Sequence, residues 1–131
     1  MGGLILKKQC IATVKAPSAI GPYSQGIRVG NLVFVSGQLP INPGTGALVS
    51  DIKEATRQSL ENVKAILLDV GASMDSVVKT TVFLRDMNDF MAMNEVYATY
   101  FLTSPPARVA VQIAKLPKDA IVEIEAIAVV E

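Results

Sequence analysis

Hydrophobic residues recur along this chain in two periods. Between Asp51 and Val70, the positions Ile52, Ala55, Ser59, Val63, Ile66, Leu67 and Val70 fall on one stripe, and Lys53, Arg57, Glu61 and Lys64 lie opposite. That is the period of an amphipathic helix. Asp51 and Glu54 stand at capping-box spacing, and Gly71 sits where a left-handed residue closes a helix. A second stripe, Met87, Phe90, Met93, Tyr97 and Phe101, predicts a helix from about Met87 to Leu102, with Asp86 or Asn88 as cap and Ser104-Pro105-Pro106 as stop. Elsewhere the period is two. Strands are predicted at Gln9–Val14, Gly26–Val29, Leu32–Leu39, Val77–Arg85, Val109–Ala114 and Ala120–Val130. Gly30-Asn31 is a tight hairpin signal between the second and third. The order is βββαβαββ, which makes an α+β fold: a two-layer arrangement of one mixed sheet with two helices on one face. Residues 1–131 read as one domain.

Two features of the strands bear on function. Leu32, Val33, Phe34 and Val35 make one strand apolar on both faces. Two helices cover only one face, so the other is expected to meet further subunits. In the last strand the even positions Val122, Ile124, Ala126, Ala128 and Val130 are all apolar, and the odd face carries Glu123 and Glu125. In the strand before it, Val109, Val111 and Ile113 are apolar, and Arg108, Ala110, Gln112 and Ala114 alternate with them. The link Lys115-Leu116-Pro117-Lys118-Asp119 suggests a hairpin. If the two apolar faces coincide, the polar faces coincide as well, which puts Arg108, Ala110, Glu123 and Glu125 on one side. Such a group is either a solvated ion-pair patch or a site. Most surface charge pairs do nothing specific, so the pattern alone favours the patch.

Composition narrows the chemistry. The chain has 131 residues, no histidine and one cysteine, Cys10. This removes an intrachain disulfide, most transition-metal sites, the Ser-His-Asp triad and the Cys-His pair. Any catalysis rests on Arg, Lys, Glu, Asp, Tyr, Ser, Asn or the backbone. Twelve basic and 12 acidic residues cancel, which argues against nucleic acid as the main partner. The start, Met1-Gly2-Gly3-Leu4-Ile5-Leu6-Lys7-Lys8, lacks the order of a signal peptide. No segment approaches the roughly 20 apolar residues of a membrane helix. A cytoplasmic protein is expected. Half of the residues are hydrophobic and only 18% charged, in keeping with surface hidden in an oligomer.

Other polar residues have plain readings of their own. Asn94 reads as a helix-edge asparagine, Tyr23 as a tyrosine packed over the sheet edge, and Ser36-Gly37 as a turn.

Several ordered segments carry a resemblance. They are Ala19-Ile20-Gly21-Pro22-Tyr23-Ser24-Gln25-Gly26, Val35-Ser36-Gly37-Gln38, Arg57 to Lys64, Val78-Lys79-Thr80-Thr81-Val82, Pro106-Ala107-Arg108, and Leu116-Pro117-Lys118-Asp119 with Glu123 to Ala128. From about Ala16 to Val130 the chain resembles the Rid family of reactive intermediate deaminases, once called YjgF proteins, and is most similar to its RidA subgroup. The resemblance implies a chorismate-mutase-like fold and a homotrimer with sites in the clefts between subunits. It also implies hydrolysis of reactive 2-imino acids or enamines, such as 2-iminopropanoate and 2-iminobutanoate, to 2-keto acids and ammonia, which protects against dehydratase by-products. By motif, the site residues it implies are Arg108, Tyr23, Ser36, Gly37, Asn94 and Glu123. RidA-type proteins often carry a cysteine two residues after the arginine. Here Ala110 stands there, leaving its backbone groups but no thiol. In this reading Arg108 binds the substrate carboxylate through two parallel N–H···O bonds, Glu123 activates water, and backbone near Ala110 meets the imine nitrogen. Tyr23 and Asn94 shape the pocket. No metal or organic cofactor is called for. A rival reading is a 2-keto-acid sensor, which needs Arg108 but not Glu123. A translation inhibitor or ribonuclease fits least, given zero net charge and no histidine.

Overall fold

A computed structural model describes residues 7–131. The amino-terminal run Met1 to Leu6, which carries most of the signal-peptide argument, lies outside them. The elements are β1 (Lys8–Ile11), β2 (Gly26–Val29), β3 (Leu32–Gln38), α1 (Ile52–Leu68), β4 (Val77–Leu84), α2 (Phe90–Tyr100), β5 (Ala107–Gln112) and β6 (Val122–Val129). The predicted order βββαβαββ holds, with boundaries moved by a few residues. Six strands form one sheet in the order β1-β2-β3-β6-β4-β5. Among the described strands only β4 and β5 run parallel, because α2 supplies the crossover that parallel neighbours need. Among the described residues no helix is long and apolar enough to cross a membrane.

The helices form where their caps and stripes direct. Asp51 accepts a hydrogen bond from the Glu54 backbone N–H at 3.1 Å, satisfying one orphan donor of the first turn. Ala55, Ser59, Val63, Ile66 and Leu67 from the predicted stripe are buried, together with Thr56, Leu60 and Asn62. Gly71, just past the end, takes φ of 77°. The second helix is shorter than predicted. Asp86 caps a 3₁₀ turn, Met87–Asp89, by accepting from the Asn88 N–H, and α2 proper follows. Met93, Tyr97 and Phe101 of its stripe are buried, while Met87 is exposed. Both helices pack on the face that holds Val33, Val35, Val82, Leu84, Val122, Ile124, Ala126 and Ala128. The two-residue link Gly30-Asn31 turns β2 back on β3.

The last two strands differ from expectation. β5 and β6 are not a hairpin, since β4 lies between them. The link from β5 to β6 wraps the end of β4: Ile113 N–H donates to Leu84 O at 3.0 Å, and Arg85 N–H donates to Ile121 O at 3.1 Å. Arg85 then holds the turn of the link, donating to the backbone and the side chain of Asp119. Lys118 and Asp119 take left-handed φ values of 57° and 56° there.

The two polar groups therefore part. Arg108 is the cross-strand partner of Thr80, and Thr80 is that of Ala126, so these three share the helix-covered face. Ala110 joins them through Val82 and Ile124. Glu123 is registered with Phe83 and Val111, and Glu125 with Thr81 and Val109. Those residues point to the opposite, uncovered face. The apolar side of β5 thus belongs to the open face and the apolar side of β6 to the core. The open face is apolar as well: Leu32, Phe34, Val109 and Val129 are between 37% and 44% exposed. A sheet this apolar on its bare side leaves the expected need for a cover in place.

Candidate active site: two half-sites on one sheet

The first half-site lies on the open face. The chain between β1 and β2 forms a strap that passes over the end of β3. The amide of Gln25, buried at 4% exposure, holds it. Its oxygen accepts from the Thr13 N–H at 2.7 Å, and its nitrogen donates to the Thr13, Ala16 and Pro17 carbonyls at 3.0, 3.3 and 2.8 Å. The Ser36 hydroxyl donates to Ser24 O at 2.6 Å, and the Ser36 N–H donates to Gln25 O at 2.9 Å. The strap's Tyr23 is thereby set beside Ser36 and Gly37. β3 has an irregular register with β6 between Val35 and Gln38, and there Glu123 comes close to the backbone. A Cβ placed on Gly37 would lie 2.9 Å from Glu123 Cδ and 3.1 Å from Oε2. Together Tyr23, Ser36, Gly37, Glu123 and Glu125 line a cavity of about 560 Å³, whose apolar wall includes Ile20, Leu39, Ile41 and Pro117. Its far wall is anchored by Asn62 of α1, whose amide donates to Leu39 O and Ile41 O at 3.1 and 2.9 Å. Withdrawal from water, with the Glu125 carboxylate adding like charge, raises the Glu123 pKa above its ordinary value of 4.5.

The second half-site lies on the helix side, at the β5 edge. Arg108 Nη1 donates to Asn94 Oδ1 at 2.7 Å. Its Cζ sits over the Tyr97 and Phe90 rings, 4.8 and 5.5 Å from their centroids. Asn94, Tyr97, Phe101, Pro105, Pro106 and Arg108 bound an open cleft of about 490 Å³. Arg108 is only half-buried, and one of its five N–H donors is engaged by Asn94, so the rest of its fork can take a planar carboxylate. Ala110 follows on the same face, partly buried against the core.

The predicted residues thus group as Tyr23, Ser36, Gly37 and Glu123 in one cavity, and Asn94, Arg108 and Ala110 on the other side of the sheet. Within one chain the arginine and the glutamate do not meet.

The model of the family described as Endoribonuclease L-PSP matches residues 13–130. The chain belongs to this family, the Rid or YjgF family. A RutC family protein of Pyrococcus abyssi is 59% identical over 124 residues, covering 94% of this chain and 98% of that protein. A Salmonella typhimurium protein named 2-iminobutanoate/2-iminopropanoate deaminase is 52% identical over 122 residues, covering 91% of this chain and 95% of its own. Among solved structures, Escherichia coli TdcF with bound serine superposes with a TM-score of 0.91 at 49% identity, covering 94% of this chain and 99% of that one. The Rid fold is therefore the fold of this chain.

Some residues around the Rid half-sites are not evident from the sequence pattern. Phe90 and Tyr97 read as helix core, yet they face Arg108. The signal was present in the spacing: Phe90, Asn94 and Tyr97 stand at i, i+4 and i+7 on one helix face. Gln25 is buried with its amide fully used, and nothing in the strand pattern marks it.

Proposed function

We propose that this chain hydrolyses 2-imino acids and their enamine tautomers, 2-iminopropanoate and 2-iminobutanoate among them, to 2-keto acids and ammonia. The names of the Salmonella relative and of other relatives at about 50% identity support this activity. The observation that carries the reading is the complementarity of the half-sites. One offers a fixed arginine fork, the other a carboxylate kept partly out of water with its pKa raised. That pair suits a small anion whose neighbouring carbon must be attacked by water.

Arg108 binds the substrate carboxylate in two parallel bonds and fixes the plane of the imine. Glu123 accepts a proton from water as the water oxygen bonds to the imine carbon. The C=N electron pair moves to nitrogen, which takes that proton back from Glu123 to give a carbinolamine. Glu123 then takes the hydroxyl proton and delivers it to the nitrogen as the C–N bond breaks, so the hydroxyl becomes the keto oxygen and ammonia leaves. Backbone groups beside Ala110 meet the imine nitrogen, while Tyr23, Ser36, Gly37 and Asn94 shape the cavity. The chain's own side chains suffice for every proton.

Arg108 and Glu123 point from opposite faces of one sheet, so the complete site requires a second copy. We infer a homotrimer, the assembly that the family resemblance implies, with sites in its clefts. The exposed Leu32, Phe34, Val109 and Val129 supply an apolar contact face for it. The enzyme works in the cytoplasm on free metabolites.

The test adds purified protein to a threonine dehydratase reaction and times keto-acid release while semicarbazide competes for the imine. Faster release by wild type, lost in Arg108→Lys, is expected. Binding of 2-ketobutyrate without any acceleration over spontaneous hydrolysis would replace the enzyme with a sensor.

A further inference from the structure

Arg108 stands on an edge strand, where a long side chain has several rotamers open to it. Three residues of α2 restrict it. Asn94 takes one N–H at 2.7 Å, and the Tyr97 and Phe90 rings lie 4.8 and 5.5 Å from its Cζ. A ring attracts the cation through its quadrupole without using any N–H as a hydrogen bond. It can therefore orient the group and leave the in-plane donors for a ligand. The Tyr97 ring is itself fixed. Its hydroxyl shares a buried hydrogen bond of 2.6 Å with the Thr80 hydroxyl, and Phe101 stacks against it at 4.7 Å between centroids. Thr80 is the cross-strand partner of Arg108. The tyrosine is thus pinned to the strand next to the one that carries the arginine, and the arrangement closes on itself.

We propose that Phe90 and Tyr97, with Tyr97 held by Thr80, are positioning residues that keep the Arg108 fork in its binding rotamer before substrate arrives. The proposal rests on the reading that Arg108 receives the substrate carboxylate. Without the rings, only a fraction of molecules present the fork correctly, and apparent affinity falls by that fraction. A cation–π contact of this kind is worth about 2- to 30-fold in the rotamer equilibrium. The bound state, once formed, is the same, so the loss appears in KM and in keto-acid Kd while kcat stays within about twofold.

The experiment compares Phe90→Leu, Tyr97→Phe, Thr80→Val, the double variant Thr80→Val/Tyr97→Phe, and Arg108→Lys, each checked for wild-type circular dichroism. Imine hydrolysis gives kcat and KM, and calorimetry with 2-ketobutyrate gives Kd. Phe90 is half-buried, so Phe90→Leu tests the stack with little risk to folding. It should raise KM and Kd in parallel, with kcat kept. Tyr97→Phe retains the ring but loses its tie to Thr80, and should raise KM and Kd with kcat kept. Thr80→Val breaks the same tie and should raise Kd to a like degree, and the double variant, which removes both polar atoms, should be no worse than either single change. Wild-type KM and Kd in both Phe90→Leu and Thr80→Val, beside an inactive Arg108→Lys, overturn the proposal and leave the role of Arg108 standing. Near-normal hydrolysis by Arg108→Lys instead brings down the carboxylate reading and this proposal with it.

Discussion

Gly37→Ala separates the position of the Glu123 carboxylate from everything else in the cavity. Gly37 is not among the glycines with positive φ, so alanine fits its backbone. The added methyl meets Glu123 Cδ at 2.9 Å, where ordinary contact begins at 3.4 Å. The obstacle is the far end of a flexible side chain, so the carboxylate yields and the sheet does not. It must retreat by about 0.5 Å (3.4 minus 2.9). A misplacement of about 1 Å costs on the order of 10²-fold in rate, so half of that distance should lower kcat about 10-fold. The ceiling is set by what a general base contributes, on the order of 10²–10⁴-fold. Stability should hardly change, because glycine-to-alanine at a compatible site gains about 0.4–1 kcal/mol against a slight crowding cost. Stopped-flow hydrolysis of dehydratase-generated imine gives kcat, calorimetry gives keto-acid affinity, and a melting curve gives Tm. Expected are a tenfold lower kcat, an affinity within about threefold and a Tm within about 5 °C. A variant with wild-type kcat would show that the carboxylate's place against β3 is irrelevant to the chemistry.

Three further outcomes follow from the same geometry. Burial raises the Glu123 pKa above 4.5, so the folded protein holds that proton more tightly than the unfolded chain. The stability this gives is full below 4.5 and is lost as pH rises through the raised value. Glu123→Gln should therefore gain Tm over wild type at pH 7 but not at pH 3, and the acid limb of wild-type kcat should lie above pH 4.5. Equal Tm differences at both pH values would refute the shift. Ala110→Cys should leave hydrolysis nearly unchanged and, in a Cys10→Ser background that removes the exposed native thiol, add sensitivity to peroxide. A large gain in rate would mark the alanine as a weakening feature. Sedimentation equilibrium should give a trimer at micromolar concentration, and Phe34→Asp on the open face should dissociate it and abolish hydrolysis. A monomeric wild type would remove the shared cleft.

What the sequence made legible was local. Asp51 as a cap, Gly30-Asn31 as a turn and the α1 stripe each depend on neighbours a few residues away, and all three hold. The motif segments were legible as well, and they brought Tyr23, Ser36, Gly37 and Glu123 to one cavity. What failed was the choice of face. Alternation tells which residues of β5 lie together, not whether that side meets the helices. The usual guide, that the apolar side faces the core, misleads here because the bare face of the sheet is apolar too. Val109 and Val111 therefore read as core, and the pattern sets Arg108 on the same side as Glu123. Strand order was equally hidden, since a nine-residue link, 113–121, can close a hairpin or pass over a neighbouring strand, and it is the pairing of β4 with both β5 and β6 that decides it.

A serine hydroxyl has one hydrogen to give, and Ser36 has given it to the Ser24 carbonyl. Toward the cavity it presents lone pairs alone. A ligand atom that settles against it must bring its own hydrogen, as water or an N–H group does and a carboxylate does not. The same hydrogen also ties the Tyr23 strap to β3, so architecture and polarity at this point share one atom. Alanine at position 36 would remove one of the strap's ties to β3 and blank the acceptor together, whereas threonine would keep both. Loss of activity in the alanine variant would therefore say nothing about proton transfer by Ser36, and a thiol there, a poor donor with a longer bond, would slacken the strap before it altered any chemistry.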